Sequence, residues 1–288
     1  MKHLIKIFDQ AFSHEEYCGS KVGKNYSNKI IWDRSDDIKD GDIVFFTDSL
    51  LPHVKSISTN CVKVALLLEP PSVYDFSYKY VRENYSFFDY IITHQDSLSD
   101  LPNIVILPQW CSWIYPDKQK IYKKSKLLSI IASNKNTTVG QKMRHDIINY
   151  LNDKVDIDIY GGLTSNNSGY KPIVDKSEGF ADYSFSIIVE NSKSNFYFTE
   201  KIIDCLLTGT IPIYWGANNI GQYFDTRGFF IIDKIEDLDE IIPKINQITY
   251  DNMFEFVVKN FNTASEFLTL EDYIYENFLK KNNLIKCQ

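Results

Sequence analysis

Short apolar runs alternate with amphipathic segments along this chain, and the alternation runs twice. This feature limits the fold most. A strand that is apolar on both faces needs a covering layer on each side, which helices between parallel strands supply. In the first half, Leu4–Phe8, Ile43–Thr47, Val62–Leu68 and Tyr90–Thr93 read as strands, with a helix at Tyr74–Glu83. In the second, Leu127–Ala132, Ile157–Tyr160, Phe185–Val189, Ile211–Trp215 and Phe229–Ile232 read as strands. Helices are predicted over Val139–Leu151 and Glu200–Leu207, and from about Ile235 the chain reads as mainly helical. Pro108–Lys126, with Pro116 and a short basic run, separates the halves. The expectation is an α/β chain of two doubly wound, Rossmann-like domains facing across a cleft. They cover residues 1–115 and 125–265, with a C-terminal helical segment at 266–288. A chain of 288 residues has room for two cores of this size. Ligands then belong at the carboxyl ends of the strands.

Charge removes several classes of function. The net charge is −7, and the basic run Lys118–Lys126 is short and mixed. Nucleic-acid binding needs clustered Lys and Arg, so no nucleic-acid partner is expected. The five cysteines are odd in number and form no C-x-x-C pair, so neither a metal site nor a disulfide framework is suggested. The N-terminal MKHLIKIFDQ has no apolar signal core, and no run approaches 18 apolar residues. A reduced, cytoplasmic chain without a transmembrane segment is the expectation. The oligomeric state is not legible.

The stretch Val189–Trp215 carries the chemistry. A buried strand, SFSIIVE, runs into the polar loop NSKSN, then into a helix with Thr199 as N-cap and Glu200 in its first turn. Ile202, Ile203, Leu206 and Leu207 form its apolar face, Gly209 ends it, and IPIYWG is the next strand. A loop feeding a helix N-terminus can hold an anion, and Lys201 adds a full positive charge there. A diphosphate leaving group is an anion of that kind. The same residues would also serve as the surface of an ordinary capped helix.

ENSKSNFYFTEKIIDCLLTGTIPIYWG closely resembles the hallmark motif of the α-1,3/4-fucosyltransferase family, bacterial members included. Three further segments resemble the family in the right order. They are Ser133-Asn-Lys135 followed by Gly140 and Arg144, then Val155–Gly161, and upstream Leu66–Leu68 running into Glu69-Pro-Pro71. The resemblance spans about Leu66 to Asp233. It implies the GT-B fold and an inverting transfer of L-fucose from GDP-fucose to a hydroxyl of an oligosaccharide or glycan acceptor, GlcNAc or a related sugar. Protein glycosylation or polysaccharide biosynthesis would be the setting.

The resemblance also implies the roles. Arg144 and Lys201 would pair with the diphosphate, while Asn191, Tyr197 and Glu200 would hold the donor's phosphate, ribose or fucose. Glu69, which ends an apolar strand, would be the general base that takes the acceptor hydroxyl's proton. Asp156-Ile-Asp158 has the form of a D-x-D metal site but alternates like a strand, so no metal is expected. GDP-fucose is then the donor substrate, with no further cofactor. Loss of activity in EDTA with recovery on manganese would count against a metal-free reaction. Trp110 and Trp113 are candidates for acceptor contact, and Trp215 for stacking on a sugar; His94 is left outside the catalytic set. Two alternatives remain open: another nucleotide-linked, 6-deoxy sugar as donor, or a catalytically silent sugar- or nucleotide-binding protein.

Overall fold

The computed structural model describes residues 2–10, 24–108, 111–161 and 170–285, so Trp110 lies outside the described residues. The chain forms two compact units. The first is Met1–Cys111 with Asn195–Tyr197 and Leu268–Gln288, and the second is Ser112–Ser194 with Phe198–Phe267.

The first unit is built on six parallel strands. They are β1 (His3–Phe8), β2 (Ile30–Asp33), β3 (Ile43–Thr47), β4 (Val62–Leu66), β5 (Tyr90–Thr93) and β6 (Ile104–Ile106), in the order β2-β1-β3-β4-β5-β6. One face packs Val44, Phe46, Ala65 and Ile91 against Tyr78 and Val81 of helix α1 (Pro71–Asn84). The other face packs Ile5, Phe45, Val64 and Ile92 against Leu270, Ile274, Phe278 and Leu279. That burial is why residues 268–288 group with the first unit, where the sequence pattern had set 266–288 apart as a segment of its own. Trp32 and Glu271, both buried, also join these parts by an Nε1–H donated to Oε1 at 2.9 Å.

His94 closes β5 on a buried site. It is 1% exposed, and neither ring nitrogen has a hydrogen-bond partner among the described residues. Its ring centroid lies 4.9 Å from that of Tyr197. Burial pushes its pKa down to about 3. The unfolded chain takes up a proton near pH 6.5 and the folded chain does not, so stability falls as pH drops from 6.5 towards 3. The expected slope is about 1.4 kcal/mol per pH unit. Urea midpoints across that range should flatten in His94→Leu; an unchanged slope would remove His94 as the cause.

The second unit repeats the architecture with β7 (Lys126–Ile131), β8 (Asp158–Tyr160), β9 (Tyr170–Lys171), β10 (Tyr183–Val189), β11 (Ile211–Trp215) and β12 (Phe230–Ile231). All neighbours are parallel, in the order β12-β11-β10-β7-β8-β9. Central β10 is buried at all seven positions, as its apolar run requires. From β7 the chain builds outward to β8 and β9, and from β10 it builds the other way. The boundary between β7 and β10 is therefore the topological switch point of this sheet, where open α/β folds bind ligands.

Candidate active site

Beyond the carboxyl ends of β7 and β10 lies a cavity of about 340 Å³. Arg144, Asn191, Glu200 and Lys201 line it together, with Ser133, Lys135, Gln141, Lys176 and Trp113. Four of the six site residues expected from sequence thus share one wall.

Helix α2 (Val139–Leu151) supplies Arg144. Thr138 caps it: its hydroxyl accepts from Gln141 N at 3.2 Å while Gln141 Oε1 accepts from Thr138 N at 3.2 Å. Gly140 lets α2 press onto the end of β10, its N–H donating to Asn191 O at 3.0 Å. A Cβ at Gly140 would stand 1.7 Å from Glu190 O. Gly140→Ala must therefore push backbone from backbone, at a cost of about 3 kcal/mol or more. Chemical unfolding should register that loss, and unchanged stability would show that α2 can move freely here. Arg144 is 7% exposed; its Nε and Nη2 donate to Val189 O at 2.9 and 2.7 Å, and Nη2 also to Asn191 Oδ1 at 2.9 Å. It both lines the cavity and orients Asn191.

Helix α3 (Glu200–Leu206) supplies Glu200 and Lys201. The sequence placed an outside anion at its N-terminus, but the chain's own Glu190 occupies that position. Glu190 is fully buried, its Oε1 accepts from Thr199 N at 2.9 Å, and its Oε2 accepts from Thr199 Oγ1 at 2.7 Å. Lys201 Nζ lies 3.3 Å from that Oε2, donates to Thr199 Oγ1 at 2.7 Å and reaches Glu200 Oε1 at 3.1 Å. Burial alone would raise the Glu200 carboxyl, but the ammonium groups of Lys201 and Lys176 outweigh it and hold its pKa down at about 2. The cavity therefore presents an ionised carboxylate flanked by cations.

Tyr197 is not part of this wall. It is 4% exposed, packs on His94 and groups with the first unit. Two residues before it, Asn195 Nδ2 donates to Asp96 Oδ2 at 2.8 Å, and Phe196 turns the loop with φ +62°. The motif loop thus holds a tyrosine in the first unit's interior.

Glu69 follows β4 and is exposed; its carbonyl accepts from Tyr78 Oη at 2.8 Å, and Pro70 caps α1. Asp48, which no sequence signal marked, stands close by. Its Oδ1 accepts from Leu68 N and Ser77 Oγ, both at 3.2 Å, from a backbone with φ +35°. Burial, aided by the charge of Glu69, raises its pKa to about 6.

Lys176, Glu190 and Asp204 were also missed. Glu200 and Asp204 stand one turn apart on α3, a spacing that could have flagged a shared cation, but nothing local marked Lys176 as that cation. Trp113 lines the cavity of the second unit, with Lys176 Nζ 4.6 Å from its ring centroid. Trp215 instead borders a separate hollow of about 510 Å³ with Val139, Met143 and Asp233. Asp158 is engaged on β8 by Lys126 at 3.2 Å, Lys171 at 2.5 Å and the Tyr183 hydroxyl.

Comparison with known proteins bears on this arrangement. The family model described as glycosyltransferase family 10 (fucosyltransferase) C-term matches residues 121–256. The α-(1,3)-fucosyltransferase FucT of Helicobacter pylori is 29% identical over 180 residues, which are 62% of this chain and 35% of that protein. The chain thus spans about a third of the length of that curated relative. A crystal structure of an α1,3-fucosyltransferase with GDP-fucose superposes with TM-score 0.52 at 18% identity, over 82% of this chain and 80% of that one. HepE of Anabaena in complex with UDP-glucose gives TM-score 0.58 at 12% identity, over 84% and 79%. These likenesses show the fold, the GT-B architecture of glycosyltransferases. Over residues 121–256, just under half of its length, the chain is thus similar to the C-terminal part of the fucosyltransferases of glycosyltransferase family 10.

Proposed function

We propose that this chain transfers L-fucose from GDP-fucose to a hydroxyl of a glycan, α-1,3 to GlcNAc or a related sugar, with inversion. The cavity at the β7/β10 switch point carries the reading. A cation-rich pocket with one ionised carboxylate suits a nucleoside diphosphate joined to a hydroxyl-bearing sugar. In this reading Lys201 and Arg144 face the diphosphate, and Asn191 and Glu200 take donor hydroxyls or phosphate. Tyr197 shapes the donor site through its loop. Glu69 accepts the proton of the attacking acceptor hydroxyl, and its charge favours the oxocarbenium-like transition state. Residues 1–115 serve the acceptor and 125–265 the donor, in a chain that works in the cytoplasm. No described helix is long and apolar enough to cross a membrane.

The fold is shared with a protein crystallised with UDP-glucose, so the fold alone does not select GDP-fucose. A second reading therefore keeps the chemistry and changes the donor to another nucleotide-linked 6-deoxy sugar. The test is nucleotide release from a panel of GDP- and UDP-sugars, with and without glycan acceptors. Acceptor-dependent GDP release from GDP-fucose is expected. Release from a different donor alone would move the assignment to that sugar, and no release from any would leave a silent binder.

A further inference from the structure

Helix α3 carries two carboxylates on one face, Glu200 and Asp204, and a single side chain from another part of the unit is clasped between them. Lys176 Nζ stands 2.7 Å from Asp204 Oδ2 and 3.5 Å from Glu200 Oε1. The indole of Trp113 covers the ammonium. The contact with Asp204 is an ion pair, not an aligned hydrogen bond. Asp204 is fully buried, and its other oxygen, Oδ1, accepts from Ser112 Oγ and Trp113 N, both at 2.9 Å. The result is a chain of alternating charge: Glu190, Lys201, Glu200, Lys176, Asp204.

Glu200 stands at the centre of that chain, and both lysines approach the same oxygen, Oε1. Neither lysine contact is made to Oε2. One oxygen is fixed and the other is left to the cavity.

We propose that Lys176 is a positioning residue for the donor: by balancing the charge of Asp204 it keeps Glu200 ionised and in place, with Oε1 on Lys201, so that Oε2 meets hydroxyls of a nucleotide sugar. This rests on the donor-site reading above. Lys176 is a poor direct partner for the diphosphate, because one ammonium already faces two carboxylates and its surroundings are net negative. Without its charge, a buried and a partly buried carboxylate would share one face of α3 with less compensation. Glu200 would then swing away or take up a proton.

The test compares Lys176→Met, Asp204→Asn and the double variant by calorimetric titration with GDP-fucose. In the double variant the amide oxygen at position 204 can still accept from Ser112 Oγ and Trp113 N, and no carboxylate at that position is left facing the lost ammonium. Lys176→Met should weaken binding at least about tenfold, and the double variant should recover to within about threefold of the parent. No loss in the single variant, or no recovery in the double, overturns the proposal. A second readout does not depend on the donor. The ¹³C shift of the Glu200 carboxyl should titrate near pH 2 in the parent, at least a full pH unit higher in Lys176→Met, and fall back in the double variant. An unmoved titration in Lys176→Met overturns the proposal even if the parent binds no GDP-fucose. Absence of parent binding with a moved titration overturns the donor reading and leaves Lys176 as the residue that governs Glu200. Should Lys176→Met fail to fold, the charge-balanced double variant still reports: a Glu200 titration remaining near pH 2 supports the proposal, and one raised by a unit or more overturns it.

Discussion

Glu69→Gln lowers the rate of transfer by about 10²- to 10⁴-fold and leaves nucleotide binding unchanged. The side chain stands exposed after β4 in the first unit and is not among the residues that line the second unit's cavity, so in the proposed reading its loss removes no donor contact. Glutamine keeps the shape but has no basic oxygen to take a proton. GDP-fucose titration should give the parent's affinity, while acceptor-dependent GDP release should collapse. Transfer at the parent's rate would take Glu69 out of the reaction, and lost nucleotide binding would place it on the donor side. Asp48 supplies a control. Its grip on Leu68 N holds the chain just before Glu69, so Asp48→Ala should slow transfer less than Glu69→Gln does. A larger loss in Asp48→Ala would mean that Asp48, not Glu69, carries the proton.

Lys201→Met is the second change of large effect, and it acts on stability as well as binding. Glu190 is completely buried, and Lys201 is the cation beside it. Removing one partner of a buried pair leaves the other charge uncompensated, at about 3–5 kcal/mol. Thr199 still donates twice to Glu190, so the lower end, about 3 kcal/mol, is expected. Loss of a charged contact to the diphosphate should weaken GDP binding by roughly 100-fold. Unfolding midpoints and GDP titration measure the two effects separately. If Glu190→Gln added to Lys201→Met restores stability and not binding, the two roles of Lys201 are distinct. If it restores both, the lysine acts on GDP only through the fold.

The strands that the sequence revealed are those richest in apolar residues: Ile43–Thr47, Val62–Leu66 and Ile211–Trp215 are each largely buried between covering layers. The strands it hid are the edges. Ile30–Asp33, Ile104–Ile106 and Tyr170–Lys171 are two to four residues long, and their pairing on one side only demands less apolar surface. Tyr74 shows the same limit inside a helix. It departs from helical φ and ψ within α1, just after Pro70-Pro71, where the local pattern still reads as helix.

Local physical chemistry therefore indicated the parallel α/β class, the helix over Val139–Leu151, the Thr199 helix start, and Glu200 and Lys201 as a polar pair beside it, while Arg144 and Asn191 entered only through the family resemblance. Tertiary structure alone decided what those residues touch. It filled the start of α3 with Glu190, turned Tyr197 onto His94, and brought Lys176 from beside Asp175 to the carboxylates of α3. The reason is range. Capping and apolar periodicity act over three or four residues and leave a local trace. A buried ion pair is fixed by the closing of the fold between positions 24 and 28 residues apart, as Lys176 is from Glu200 and Asp204, and it leaves no such trace.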